Sequence, residues 1–546
     1  MNFSTHSRNE LIQKLKSESF DLLIIGGGIT GVGIALDAAS RGLKTALIEK
    51  NDFAFGTSSR STKLIHGGLR YLKQLEFALV KEVGSERAIV HKLAPHLVVP
   101  EKMLLPLYEK RGLGYWLTSI GLKVYDFLAG VKAEDQRRML TKPQTLKYEP
   151  LLKKDDVKGG AIYAEYRTDD ARLTIEIAKV AFAQGANLLN YISATDFIYE
   201  NEFIVGVIAK DEITGSKIRI KSSVVVNAAG PWVDELRLIN KSKTTKHLHL
   251  TKGVHIVVPY HRLPVRQAIY FDVPDGRMIF AIPRGRITYI GTTDTDYEGD
   301  KNHVFTSPED ARYLVNAVNE TFPTVHLTMA DVESSWAGLR PLIHEEGKSA
   351  SELSRKDEIF ESPTGLVSIA GGKLTGYRKM AERVVDLVIK NKFEDRELKP
   401  CTTESIGLSG FGLRDIKTVQ SYERRIVERI GPLGLKGENA ATLVHLYGTQ
   451  TDFIIDFMVA HRTSDPDLDL LNAELSYALN QEMIVKAQDF LVRRTGLLFF
   501  DLPRLIKLLY PALQSLAHYL NWDEDRLQKE RLEMEEIIRQ TLNFKA

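Results

Sequence analysis

The first patterned stretch of the chain is a short, almost wholly apolar run, residues 21–25 (Asp-Leu-Leu-Ile-Ile). A run without polar alternation reads as a strand buried on both faces. Glycines follow it, then helical spacing as far as about Arg41, and residues 44–48 (Lys-Thr-Ala-Leu-Ile) read as a second strand. Strand, helix and strand make one βαβ unit and imply a parallel sheet. Residues 75–96 have the pattern of an amphipathic helix, 170–184 read as another helix, and 223–229 (Ser-Val-Val-Val-Asn-Ala-Ala) as a further buried strand. Between 250 and 295 apolar and polar positions alternate, with turns at Pro274-Asp275-Gly276 and Arg284-Gly285, which predicts antiparallel sheet. Residues 373–391 read as a helix after Gly371-Gly372. From about 410 the pattern is helical, with Gly496 the only glycine after Gly448. We see no internal repeat and no low-complexity linker.

Size and composition narrow the classes. A chain of 546 residues exceeds one core and predicts two or three domains. Hydrophobic and charged fractions of 43% and 26% are those of a globular protein in water. A net charge of +2 gives no global pull toward nucleic acid. The single cysteine excludes a disulfide framework and an iron–sulfur cluster, and fits a reducing cytosol. Cys401 lies in a polar stretch (Lys399-Pro400-Cys401-Thr402-Thr403) with no local histidine, which argues against a catalytic thiol. The segment Asn2 to Ser19 is polar and lacks a signal-peptide pattern. Phe20 to Ala39, the most apolar early stretch, carries Asp21, Asp37 and five glycines, so it does not read as a membrane span.

The glycines after the first strand are spaced Gly26-x-Gly28-x-x-Gly31, and Glu49 ends the next strand. That motif is weak alone. Here it has a strand before it, a helix after it and an acid about 20 residues on, as a dinucleotide site requires. Glycines let the backbone approach a pyrophosphate, the helix N-terminus favours its charge, and Glu49 can accept from ribose hydroxyls. NAD and FAD are not separated by this motif. The following run, Gly56-Thr57-Ser58-Ser59-Arg60-Ser61-Thr62-Lys63-Leu64-Ile65-His66-Gly67-Gly68-Leu69-Arg70-Tyr71, is dense in small hydroxyls and glycines that can wrap a second phosphate and lie against a planar ring. Asn227-Ala228-Ala229-Gly230-Pro231-Trp232 ends a strand in small residues. Ile369-Ala370-Gly371-Gly372-Lys373-Leu374-Thr375 gives a strand, a glycine turn and a helix start.

These segments, with Ala-Gly-Leu-Arg-Pro-Leu at 337–342 and Gly-Gly-Lys-Leu-Thr-Gly-Tyr-Arg at 371–378, resemble the FAD-dependent, quinone-linked glycerol-3-phosphate dehydrogenases of the glycine-oxidase-like flavoproteins. The resemblance extends from about residue 18 to the C-terminus. It implies an α/β architecture: a Rossmann-like FAD-binding domain, an antiparallel-sheet substrate domain and an all-helical C-terminal domain. The FAD-binding domain would take residues 18–110, 150–240 and 335–395, the substrate domain 111–149 and 241–334, and the helical domain 396–546. Noncovalent FAD is implied, with Gly26, Gly28, Gly31 and Glu49 on its ADP half. Thr57, Ser58, Ser59, Lys63, Leu64, His66 and Gly67 would line the path to the isoalloxazine, with Gly230 in the second cofactor segment. Gly372, Lys373, Leu374 and Thr375 would sit at its pyrimidine edge.

The implied reaction takes a hydride from C2 of glycerol 3-phosphate to the flavin. The substrate phosphate needs fixed cations, and Arg340, Arg70 and Arg355 are the candidates, since a planar fork grips phosphate oxygens in pairs. The C2 hydroxyl needs a proton acceptor. His255, in the apolar stretch Val254-His255-Ile256-Val257-Val258, is the leading candidate, although a lone histidine on such a strand is more often a satisfied core residue. Arg340 or Lys373 could share the proton. Lys373 would stabilise the reduced flavin's negative charge, and Tyr71 is a weaker candidate for a substrate hydrogen bond. His247-x-His249 puts two imidazoles on one strand face, but no cysteine or carboxylate joins them at a ligand spacing, and no metal is expected. Residues 109–140 mix Tyr115, Trp116, Tyr125 and Phe127 with Lys110, Arg111, Lys123, Arg137 and Arg138, which suits a bilayer interface as well as a packed helix with a solvated face. The implied partners are glycerol 3-phosphate, a membrane quinone and the cytoplasmic face of the cell membrane, and a homodimer is compatible with them. The alternatives are an oxidase passing electrons to O₂, whose extra surface insertion is not evident here, an amine or amino-acid oxidase, and a catalytically silent flavin-binding scaffold.

Overall fold

The computed structural model describes residues 2–66, 77–108, 137–243, 246–344, 357–408 and 412–545, and two β-sheets organise them. Leu22, Leu23 and Ile24 are fully buried, because their strand, Ser19–Ile25, lies in the middle of the first sheet. It runs parallel to Thr45–Ile48 on one side and to Lys217–Asn227 on the other, with Ile24 opposite both Leu47 and Val226. Two-sided burial is why no polar alternation is visible there. Parallel pairing continues outward to Leu366–Gly371 and to Asn187–Leu189. The sheet is not purely parallel. Asp357–Glu361 and the hairpin Ile192–Glu200/Phe203–Asp211 pair antiparallel. Helices Ile29–Arg41, Asp170–Ala183 and Tyr377–Lys392 pack beside one another against this core.

The second sheet, ten-stranded among the described residues, carries the antiparallel strands expected between 250 and 295: Ala268–Asp272, Met278–Arg284 and Ile287–Gly291 pair in succession, and Leu248–Pro259 pairs with Ile287–Gly291. Leu248–Pro259 pairs on its other side with Ser334–Ile343, placing His255 opposite Trp336. Alternation along a strand sends neighbours to opposite faces. Val254, Ile256 and Val258 join the core under helix Pro308–Thr321, whereas Val257 and Trp336 join a core built with C-terminal helices. His255 belongs to the Val257 side.

Beyond residue 412 every described element is a helix or helical turn. Helices Ile416–Ile430, Gly437–Tyr447 and Thr451–Ala460 form a core of their own. Helix Pro466–Gln481 contributes Leu470 and Tyr477 to that core and Leu471 and Leu475 to the second sheet's core. Helix Leu502–Leu520 lays Leu505, Leu509 and Leu513 on the same sheet face. The helical region is thus joined to the sheet by a shared apolar interior rather than standing apart from it. No helix among the described residues is long and apolar enough to cross a membrane.

Candidate active site

The turn after the central strand is shaped by close approach. A Cβ on Gly31 would lie 1.9 Å from the Gly26 carbonyl oxygen, so only glycine lets helix Ile29–Arg41 start this near the strand. Gly26 itself has φ +119° and faces the Ala228 carbonyl, at 2.5 Å from a built Cβ. Glu49 closes the turn: one carboxylate oxygen accepts from the Gly27 amide at 2.6 Å and the other from Asn51 at 2.8 Å. Burial pushes the Glu49 pKa up, and these two amides oppose the shift. Ser58, in the helical turn Thr57–Ser59, accepts from the Ile29 amide at 2.9 Å and so fixes the second segment to the helix start.

A cavity of about 400 Å³ opens on these residues. It runs from Glu49, Asn51 and Thr195 past Gly28, Thr57 and Ser58 to Trp232, Gly230, Gly372, Lys373 and Leu374. Glu49 suits the ribose hydroxyls of a flavin dinucleotide, the glycine turn and helix start with the hydroxyls of Thr57 and Ser58 suit its pyrophosphate, and Lys373 beside Gly371 and Gly372 suits its ring. Ser193, Ala194 and Thr195 were not picked out from the sequence as site residues. They reach the cavity because the hairpin strand Ile192–Glu200 follows the sheet's edge, a placement with no local motif.

Beside the cavity four distant stretches lock together. Thr57 Oγ1 donates to the Leu339 carbonyl at 2.7 Å, Trp336 Nε1 donates to the Ser61 carbonyl at 3.1 Å, and His255 Nε2 lies 3.1 Å from Thr62 Oγ1. Lys373 Nζ donates to the His66 carbonyl, which also accepts from Thr375 Oγ1 at 3.4 Å. Arg340 spreads its fork over Asp294 at 2.8 Å, the Thr293 carbonyl at 3.2 Å and Thr292 Oγ1 at 3.1 Å. The glycine that makes room for its guanidinium is Gly253 on the paired strand; Gly338 instead admits the backbone of Arg60. His255 is 1% exposed and stacks on Trp336 with ring centroids 4.8 Å apart. Its Nδ1 has no hydrogen-bond partner among the described residues. Burial, and then the charges of Arg340 and Lys63, hold its pKa well below the ordinary histidine value, so the imidazole is neutral at pH 7.

Three expected cavity residues lie elsewhere. Lys63 is buried and donates to Asp170 at 2.6 Å and to the Ser59 carbonyl at 2.9 Å, because a buried ammonium requires a carboxylate. Leu64 packs in the second sheet's core. Ser59 is buried behind the helical turn, its hydroxyl 3.4 Å from the Gly56 carbonyl. His247 stacks on His344, and His249 Nε2 meets Asp296 at 2.8 Å. Among the described residues no group of three or more ligating side chains could hold a metal ion. Gly67, Arg70, Tyr71 and Arg355, and the stretch 109–136, lie outside the described residues.

A glycine-lined strand–turn–helix cradle, continuous with a basic, glycine-rich recess between two sheets, defines the class: an oxidoreductase that binds a flavin dinucleotide. The sequence matches the family described as FAD dependent oxidoreductase over residues 21–377, and the C-terminal domain of alpha-glycerophosphate oxidase over residues 401–527. It is 47% identical over 541 residues to the aerobic glycerol-3-phosphate dehydrogenase of Bacillus subtilis (strain 168), covering 98% of each chain. It is 46% identical over 545 residues to that of Staphylococcus aureus (strain USA300), covering 99% of this chain and 98% of the relative. The crystal structure of the glycerol-3-phosphate dehydrogenase from Bacillus halodurans complexed with FAD matches with a TM-score of 0.85 at 44% identity, over 99% of this chain and 98% of that one. The chain belongs to the FAD-dependent oxidoreductases, in the aerobic glycerol-3-phosphate dehydrogenase family, and its cofactor is FAD.

Proposed function

We propose that this chain oxidises sn-glycerol 3-phosphate to dihydroxyacetone phosphate and passes the electrons to a membrane quinone. The observation that supports the reading is that one stretch, 57–66, meets His255 at Thr62, Lys373 at His66 and, through Thr57, the Leu339 that precedes Arg340, in a chain 47% identical to an aerobic glycerol-3-phosphate dehydrogenase. FAD, when bound, supplies the hydride acceptor. Arg340 presents a fork held in place by Asp294 and grips the substrate phosphate, joined by Arg70 and Arg355. His255, neutral and desolvated, accepts the proton of the C2 hydroxyl, and Tyr71 hydrogen-bonds the substrate. Lys373 lines the cavity with Gly372, Leu374 and Gly230, and would supply positive charge beside the flavin ring. The aromatic and basic stretch 109–140 seats the enzyme on the inner face of the cell membrane, where a second copy completes a homodimer.

Turnover of glycerol 3-phosphate with a soluble quinone in the absence of oxygen tests this reading. Arg340→Ala should raise KM roughly 30-fold, the equivalent of about 2 kcal/mol for a lost charge-assisted phosphate contact. An unchanged KM contradicts the pocket assignment. Turnover that requires O₂ and yields hydrogen peroxide makes the chain an oxidase instead.

A further inference from the structure

The loop that follows Glu49 is held by the C-terminal region. Asp52 is fully buried, and its carboxylate accepts from Arg493 Nε at 2.6 Å, from Arg494 Nη1 and Nη2 at 2.8 and 3.0 Å, and from Asn190 Nδ2 at 3.1 Å. The two arginines lie on the π-helical turn Asp489–Arg494 and are fixed in turn, Arg493 by Asp489 at 2.8 Å and Arg494 by the Glu482 carbonyl at 2.8 Å. Asp52 sits between the two residues that grip the glycine turn. Glu49 accepts the Gly27 amide, and the Ala54 amide donates to the Gly27 carbonyl at 3.0 Å. No slack exists at that contact, since a Cβ on Gly27 would lie 2.8 Å from both Glu49 and Phe53. Ala54 has φ +62°, a left-handed conformation that a residue with a side chain keeps only where its surroundings enforce it.

We propose that Arg493 and Arg494 are positioning residues for the cofactor: by clamping Asp52 they hold the 49–54 loop against the glycine turn, so the helical C-terminal region governs how tightly FAD is retained. Buried ion clusters are weak evidence for net stability by themselves. What this one adds is place, because its only carboxylate from the N-terminal half's nucleotide loop lies three residues after Glu49. The proposal rests on the FAD assignment and not on the identity of the substrate.

The test is titration of apo-protein with FAD, followed by flavin fluorescence, with the apo-protein's Tm measured alongside. Asp52→Asn and Arg493→Gln should each raise the FAD dissociation constant at least tenfold. Tyr191→Phe, which removes a 2.5 Å bond to Asp489 without touching Asp52, should lower Tm and leave FAD affinity within twofold. Wild-type affinity in both Asp52→Asn and Arg493→Gln, or equal weakening by Tyr191→Phe, overturns the proposal. A measurement on the unmutated protein covers variants that do not fold. Coupling between sites is reciprocal, so FAD added to apo-protein should slow hydrogen exchange at 489–494 together with 49–56. Unchanged exchange at 489–494 overturns it equally.

Discussion

His255 shows how one side chain can be both a core residue and a chemical group. It stacks on Trp336 in the second sheet's interior, yet one ring nitrogen has no partner among the described residues. Burial keeps it uncharged, which is the form that accepts a proton. Its folded pKa lies below the ordinary value, so in an NMR titration of imidazole-labelled protein His255 should stay neutral from pH 8 to pH 6. A protonation midpoint near 6.5 would contradict the buried placement. His255→Asn should slow flavin reduction on the order of a hundredfold, with the flavin still bound; an unchanged rate moves the base elsewhere. The sequence marks His255 as the leading base candidate on an apolar strand, but its pairing with Thr62 and Trp336 is made by the fold and has no signature in the spacing.

At the scale of elements, what was legible was local. The βαβ unit shows in the sequence because two-sided burial removes polar residues from the Ser19–Ile25 strand, and the glycine spacing shows because Gly31 touches Gly26 across one turn. Gly31→Ala puts a methyl 1.9 Å from a carbonyl oxygen, so the helix must shift. Loss of bound FAD and a lower Tm are the expected results, measured by absorbance and by calorimetry; a variant that keeps full flavin and the parental Tm would show the contact to be slack. What stayed illegible were pairings between distant elements. Lys63 looked like a ring-lining lysine because nothing nearby announces Asp170, and Arg340 gave no hint of Asp294. Each is a charge whose partner is chosen by the fold and not by spacing.

Across the whole molecule, buried acid–base pairs tie the N-terminal loop, the helix Asp170–Ala183 and the C-terminal helices together. Burial alone would raise the Asp52 pKa, but Arg494 and Arg493 overcome it and hold the carboxyl at about 2. The folded value is therefore below the unfolded one near 3.9. Between them the unfolded chain binds more protons, so this contribution is present above about pH 4 and is lost as pH falls toward 2. The guanidinium midpoint of the protein should drop between pH 5 and pH 3, and drop less in Asp52→Asn; an equal drop would show that Asp52 is not a source of the acid sensitivity. The helical character of the C-terminal region was readable from its spacing. Its union with the second sheet was not, since Leu505 and Leu513 form the same stripe whether they meet a helix or a sheet.

The measurement that bears most directly on the account is anaerobic titration of the purified flavoprotein with glycerol 3-phosphate, followed by the flavin's visible absorbance. One equivalent per bound flavin should bleach the spectrum, and Arg340→Ala should require far more. A spectrum that stays oxidised at saturating substrate would contradict the proposal that the recess beside Arg340, His255 and Lys373 is where this alcohol gives up its hydride.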